Sequence, residues 1–485
     1  MTDDPNAFRP QARVPRGFAD KRAATIRAER AILEAVSKVY ESWGFEPLDT
    51  GAFEYADALG KFLPDSDRPN EGVFALQDDD EQWMALRYDL TAPLARFAAQ
   101  TWETLPKPFR RYAVGTVWRN EKPGPGRYRE FIQCDADTVG SARPEADAEI
   151  IAMASAGFEA AGLPKGAAVL KINNRKLLNG LLTAAGVTTD GQKLAVLRAV
   201  DKLDRLGVEG VKLLLGEGRL DESGAFTKGA GLNTKAADSV LAFVSAVGGS
   251  RAEVLNRLSG VVGGSAEGDA GLEELAKIDA ALCGLGVAEE QATFDPSVVR
   301  GLEYYTGPVY EAELLMETGG ERFGSVGGGG RYDDLVARFT GEPVPATGFS
   351  FGVSRLAAAL KAAGRGIGTA SRGPVVVIAF DQARMADYFA VAAELRGAGI
   401  AAEVYLGSSG MKAQMKYADR RLAPAAIIIG EDEFAAGTVT VKDLDLGREL
   451  ASGVTDNAAW REQRPGQQTI PRAELVAAVR RIVGQ

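Results

Sequence analysis

Four groups of residues have the types and spacing to act on an anionic substrate. Arg119, Arg127 and Arg129 flank the loop between two strand-like runs, FRRYAVGTVWRN and YREFIQCDADTV, beside Glu121. An arginine on a half-buried strand needs an anionic partner or a route to water, and its planar fork matches phosphate oxygens two at a time. Further on, Gly348-Phe349-Ser350-Phe351-Gly352-Val353-Ser354-Arg355 reads as a small-residue strand running into a helix whose first turn holds Arg355. The free N–H groups of a helix start favour anions, and the arginine adds a full charge there although it opposes the helix dipole. Read as a strand, Arg300-Gly301-Leu302-Glu303-Tyr304-Tyr305-Thr306-Gly307 puts Arg300, Leu302 and Tyr304 on one face and Glu303 and Tyr305 on the other. The last group is Gly327–Gly330 before Arg331-Tyr332-Asp333-Asp334. Four glycines make either a loose loop or a backbone that a ligand can approach more closely than any side chain would allow. Each group also has a plain alternative: a solvated hairpin face, an exposed arginine at a strand–helix corner, or tyrosines packed in a sheet.

Composition narrows the chemistry. The chain contains no histidine and only two cysteines, Cys134 and Cys283, far apart in sequence. Ser-His-Asp and Cys-His nucleophile systems are excluded, as are cysteine–histidine zinc sites within one chain. What remains are carboxylates, Arg, Lys, Tyr, backbone dipoles and a cofactor metal. No apolar run approaches the roughly 18 residues of a membrane helix, and MTDDPNAFRPQARVPRGF has no apolar leader core. A soluble cytoplasmic protein with no membrane contact is expected. The net charge of −10 argues against broad nonspecific binding to nucleic acid. It is unevenly spread: residues 365–485 hold 15 Lys and Arg against 14 Asp and Glu.

Periodicity supplies the elements that must position these groups. Ile26, Ile32, Leu33, Val36, Val39 and Trp43 predict an amphipathic helix over 22–43, closed by Gly44. The two arginine-bearing runs predict a long hairpin over 109–139, followed by a helix at 144–162 and a strand in AAVLKINN. Residues from about 175 to 288 change character, with Gly-punctuated helical segments that read as a helical insertion. Strand character returns at 293–315, 323–326 and 347–353. After a linker at 364–374, PVVVIAF, EVYL, AAIIIG and TVTVK alternate with helices, which predicts a mostly parallel sheet covered on both faces.

The order and spacing of the motifs add what the single groups lack. WRNE-KPGP-GRYREFIQCD, RGLEYYTGPVYE, GGGGRYDDL and GFSFGVSRL together resemble the motif set of the histidyl-tRNA synthetases, a class II family. RGFAD, SWGFEPLDTGAFE, LRYDLTAPLARF and DKLDRLG extend the resemblance, and LRGAGI through GTVTVKDL resembles the family's anticodon-binding domain. The resemblance implies an α+β fold: a class II antiparallel-sheet catalytic domain with a helical insertion, plus a C-terminal α/β anticodon-binding domain. Its divisions would be 1–174 and 289–363 for the catalytic domain, 175–288 for the insertion and 374–485 for the anticodon-binding domain. The activity implied is ATP-dependent attachment of L-histidine to tRNA(His) through a histidyl-adenylate, by a homodimer. Mg²⁺ would arrive with ATP, and no protein-held metal is expected.

Carried over residue by residue, the resemblance gives Asp89, Thr91, Gln133, Asp137, Tyr304 and Tyr305 the amino group and imidazole of histidine. Arg119 and Arg300 would be the catalytic pair, gripping the substrate carboxylate and the α-phosphate. Glu121, Arg127, Phe131 and Arg355 would bind ATP together with Arg119, with Phe131 against adenine, and the glycine run would floor the histidine pocket. Two positions depart from the family pattern: Ser354 stands where an acid usually precedes the arginine, and Ile132 where bacterial members commonly have histidine. The alternative is a catalytically silent, histidine-binding regulatory paralogue of histidine biosynthesis. Such paralogues usually lack the C-terminal domain and lose motif arginines, both of which this chain retains.

Overall fold

The computed structural model describes residues 10–59, 72–124, 128–187, 189–220, 224, 226–262, 264–299, 304–316, 323–365, 372–451 and 466–484. The chain folds as two compact units, 1–367 and 368–485.

The first unit is built on an eight-stranded sheet. Its order is Glu46–Pro47, Phe109–Trp118, Glu130–Val139, Ala346–Gly352, Ser325–Arg331, Pro308–Leu314, Ala168–Asn174, Ala292–Phe294. The outermost pairings are parallel and all those between are antiparallel. The expected hairpin pairs in full register, Phe109 opposite Val139 through Trp118 opposite Glu130. Strand alternation gives the sheet two unlike faces. On one, Phe349 and Phe351 lie buried against Phe158 of the Pro144–Ala160 helix, with ring centroids 6.1 and 4.4 Å away. The Ala23–Ser42 helix covers the same face, burying Ile32, Val36 and Tyr40, and ends where Gly44 takes a left-handed φ of 82°. The opposite face carries Gly348, Ser350 and Gly352, which are too small to fill it.

The structure here revises one expectation and decides two points that the sequence left open. The glycine run is a strand, Ser325–Arg331, rather than a loop. Tyr304 and Tyr305 are in a turn before the Pro308–Leu314 strand, not in a strand with opposed faces. The chain turns there because Thr306 is tied to Arg331 O through its N–H at 2.8 Å and to Asp333 through its hydroxyl at 2.9 Å. Arg331 is a core residue: with Thr347 it donates to the fully buried Asp147 on the Pro144–Ala160 helix, its Nε at 3.0 Å.

Among the described residues of 175–284 there are six helices and one short hairpin, Gly218–Leu220 with Phe226–Lys228, so this segment is not purely helical. In the second unit, Ala402–Val404, Val375–Val377 and Ala425–Ile428 are parallel neighbours. Thr438–Asp443 and Gln467–Pro471 then pair antiparallel, so the sheet is mixed rather than mostly parallel. The 429–437 connection is shorter than the roughly dozen residues a parallel crossover needs. Both faces are covered: Val375 and Val377 belong to one apolar cluster, Val376 and Ile378 to another. No helix among the described residues is long and apolar enough to cross a membrane.

Candidate active site

The glycine-lined face of the large sheet opens into a cavity of about 340 Å³. Asp89, Thr91, Arg119, Glu121, Phe131, Gln133, Asp137, Tyr304, Tyr305 and Arg355 all line it. Arg127 and Arg300 lie outside the described residues.

One strand supplies most of the polar wall. Along Glu130–Val139, period-two alternation points Phe131, Gln133, Asp135 and Asp137 into the cavity. Across the sheet, Gly352, Ser350 and Gly348 stand opposite Gln133, Asp135 and Asp137. A Cβ at Gly348 would collide with the Asp137 carboxyl, so the glycine is what lets the acid sit there. Gly330, opposite Gly348, plays the same part for Tyr305, whose ring a Cβ would meet at 2.8 Å. Gly328 is different: its nearest neighbour would be Tyr310 O at 3.4 Å, so its absent side chain leaves open cavity.

Electrostatically the pocket floor is acidic and buried. Arg111, 1% exposed, reaches Asp137 at 3.0 Å with the same Nη2 that donates to Leu90 O at 2.8 Å. Tyr332 donates its hydroxyl to the other Asp137 oxygen. Burial pushes the Asp137 carboxyl up, against the pull of Arg111 and Tyr332. Asp135 is pushed up to about 8, by burial first and then by the charge of Asp137, with Arg111 and the Ser350 hydroxyl opposing. Burial also raises Asp89, although its Oδ1 accepts from the Ala92 N–H at 2.9 Å at the start of the Thr91–Thr101 helix. Tyr304 and Tyr305 are pushed up by burial, so both keep their protons, and their rings meet edge to face with centroids 4.9 Å apart.

Four buried acceptor atoms on residues that line this space have no hydrogen-bond partner: Asp89 Oδ2, Gln133 Oε1, Asp135 Oδ1 and Asp137 Oδ2, the last of which has only its ion-pair contact with Arg111. Leaving each so costs on the order of 1–3 kcal/mol, which a ligand rich in N–H donors would recover. Also on the cavity wall, Arg119 donates Nε to Tyr88 O at 3.0 Å and lies 5.2 Å over the Phe131 ring. Arg355 donates to Ser325 O at 2.6 Å from the Val353–Ala362 helix. Asp135, Ser350 and Tyr332 were absent from the sequence-derived site, as was Arg111 beneath it. Alternation from Gln133 to Asp137 passes through Asp135 and was a sufficient signal for it; Arg111 needed the cross-strand register.

Comparison with known proteins identifies the family. The family model described as histidyl-tRNA synthetase matches residues 17–356, and an anticodon binding domain matches residues 374–482. A histidine--tRNA ligase of Caulobacter vibrioides is 76% identical over 490 residues, covering 100% of this chain and 99% of its own. One from Brucella suis is 55% identical over 483 residues, covering 98% and 96%. The crystal structure of a histidyl-tRNA synthetase from Nostoc sp. superposes with a TM-score of 0.73 at 30% identity, covering 98% of this chain and all of that one. The chain belongs to the histidyl-tRNA synthetase family, within the class II aminoacyl-tRNA synthetases.

Proposed function

We propose that this cavity is where L-histidine and ATP form histidyl-adenylate, from which the histidyl group passes to tRNA(His). The chain is a histidine--tRNA ligase in activity, as its family and relatives are; the reading added here is the assignment of the site. The observation that carries it is the set of unpartnered acceptors, Asp89 Oδ2, Gln133 Oε1 and Asp135 Oδ1, beside Asp137. An ammonium group has three N–H donors and an imidazole up to two, which suits an acceptor-lined pocket. Asp89, Thr91 and Gln133 would take the amino group, and Asp137, Tyr304 and Tyr305 the imidazole.

The first step needs no protein base. A carboxylate oxygen of histidine, already ionised at neutral pH, attacks the α-phosphorus while pyrophosphate leaves. The protein's tasks are alignment and neutralisation of charge, which Arg119, Arg300 and Arg355 would perform. Phe131 would stack on adenine, with Glu121 and Arg127 completing the ATP contacts. In the second step a terminal ribose hydroxyl of tRNA attacks the carbonyl carbon and AMP leaves, its phosphate able to accept the proton. No group of three or more His, Cys, Asp or Glu among the described residues is placed to hold a metal ion. Mg²⁺ would enter with the ATP phosphates, as it commonly does.

A homodimer in the cytoplasm completes the proposal. On the small sheet of Phe53–Tyr55, Trp83–Leu86 and Ala75–Gln77, the register puts exposed Phe53, Tyr55 and Leu76 on one face, an apolar surface suited to a partner. The proposed domains are 1–174 with 289–363, 175–288 and 374–485. Pyrophosphate exchange scanned over all twenty amino acids tests the function: histidine alone should support it, and no exchange with any would favour the regulatory paralogue. A monomer mass by light scattering at micromolar concentration would refute the dimer.

A further inference from the structure

The Val353–Ala362 helix, which brings Arg355 to the cavity, has no acidic residue in its first turn. A carboxylate reaches that turn from a distant part of the chain. Glu29, on the Ala23–Ser42 helix, is only 3% exposed and accepts a hydrogen bond from Ser354 Oγ at 2.6 Å. Lys21 Nζ donates to its two oxygens at 2.8 and 3.0 Å and reaches Ser354 Oγ at 3.3 Å. Ser354 Oγ in turn accepts from the Ile132 N–H at 3.2 Å. Ile132 sits between Phe131 and Gln133, both of which line the cavity. One buried acid thus ties together the first helix, the hairpin strand and the start of the arginine-bearing helix.

A buried ion pair is a poor device for stability alone, since apolar side chains of similar volume usually do as well. Its placement matters more. Negative charge near a helix start is favourable, and here it offsets the unfavourable position of Arg355 in the same first turn. The shared hydroxyl also fixes the distance between Arg355's helix and the Phe131–Gln133 backbone. Ser354 is also the position where the family pattern has an acid, and in this chain a carboxylate on another helix reaches that position through the serine.

We propose that Glu29 is a positioning residue for the nucleotide, acting through Ser354 to set Arg355 against Phe131. This rests on the reading that Phe131 and Arg355 bind ATP. The test is pyrophosphate exchange by the full chain, with ATP and histidine varied separately. Glu29→Gln should raise the KM for ATP about tenfold, the worth of one charge-assisted hydrogen bond, and leave the KM for histidine unchanged. Ser354→Ala, which keeps the Lys21–Glu29 pair and so guards against misfolding, should do the same. The double variant Glu29→Gln with Ser354→Asp returns an acid beside Lys21 and should recover most of the ATP KM. An unchanged ATP KM in Ser354→Ala, equal rises in both KM values, or no recovery in the double variant overturns the proposal. Arg355→Ala separates the two readings. If it leaves the ATP KM unmoved, the nucleotide site itself is wrongly assigned; if it raises that KM while Ser354→Ala does not, only the role of Glu29 fails.

Discussion

Arg111 and Asp137 face each other across adjacent strands and form an ion pair at 3.0 Å that is almost wholly removed from solvent. A single nitrogen, Nη2, serves both Asp137 and Leu90 O, while Nε and Nη1 have no hydrogen-bond partner. The arginine therefore acts less as a hydrogen-bonding hub than as a fixed positive charge under the pocket floor. Its field opposes the burial that would otherwise keep Asp137 protonated.

Arg111→Met keeps the aliphatic stem and removes that charge. Asp137 then loses the influence that favours its ionised form, and with it much of its strength as an acceptor for an imidazole N–H. The KM for histidine is expected to rise at least tenfold with the KM for ATP little changed, because breaking a buried pair typically costs about 3–5 kcal/mol. Pyrophosphate exchange with each substrate varied in turn checks this, with a melting curve to separate loss of fold from loss of binding.

Asp135 gives the unliganded protein a pH signature. Its carboxyl is raised to about 8, so between pH about 4 and about 8 the folded protein holds a proton that the unfolded chain has released. Stability from this group is complete at acid pH and is lost as pH rises toward 8, at up to about 1.4 kcal/mol per pH unit. Asp135→Asn does not titrate, so it should melt above the parent at pH about 8, and the gap should shrink as pH falls toward 5. Asp89 and Asp137 shift in the same direction, so the variant keeps part of the slope. A gap that widens on acidification would contradict the assignment.

Much of the candidate site could be named from the sequence because its motifs resemble those of a known family, and those motifs lie in segments grouped by short-range rules. The hairpin, the small-residue strand and the following helix are all set by local pattern, and the strand period links Phe131, Gln133 and Asp137 directly. What stayed hidden depends on partners far away in the chain. Nothing near Arg111 indicates that Asp137 will lie opposite it, and nothing near Ser354 indicates Glu29, 325 residues earlier. Tyr304 and Tyr305 were assigned to opposed faces because the run looks like a strand. Thr306 turns the chain instead, and both rings line the cavity. The glycine run read as readily as a loop because glycine carries no periodic signal, and pairing with Phe349 and Ser350 on the neighbouring strand makes it sheet.

Those glycines separate fold from binding. Gly330→Ala drives a methyl group into the Tyr305 ring and the Pro308 carbonyl, at 2.8 and 2.7 Å, and should lower both melting temperature and activity. Gly328→Ala meets nothing in the protein closer than 3.4 Å. Its methyl group instead enters the cavity, where an overpacking cost of about 1–3 kcal/mol would fall on the ligand. Gly328→Ala is expected to melt like the parent and to bind histidine or ATP at least fivefold more weakly. Normal KM values for both would mean that this stretch of sheet does not touch substrate.

Arg300 is placed in the reaction by the match of RGLEYYTG to the family motif, and it lies outside the described residues. Its proposed task is electrostatic, to hold the histidine carboxylate against the α-phosphate while negative charge builds on the phosphate oxygens. Removing one such donor typically costs two to three orders of magnitude in turnover. Arg300→Ala is therefore expected to lose adenylate formation almost entirely while melting like the parent. Arg300→Lys keeps the charge without the two-pronged fork, so a recovery limited to a small fraction of parental exchange would show that geometry as well as charge is needed. Near-normal histidine-dependent exchange in Arg300→Ala would remove this residue from the mechanism and leave Arg119 and Arg355 to carry the phosphate.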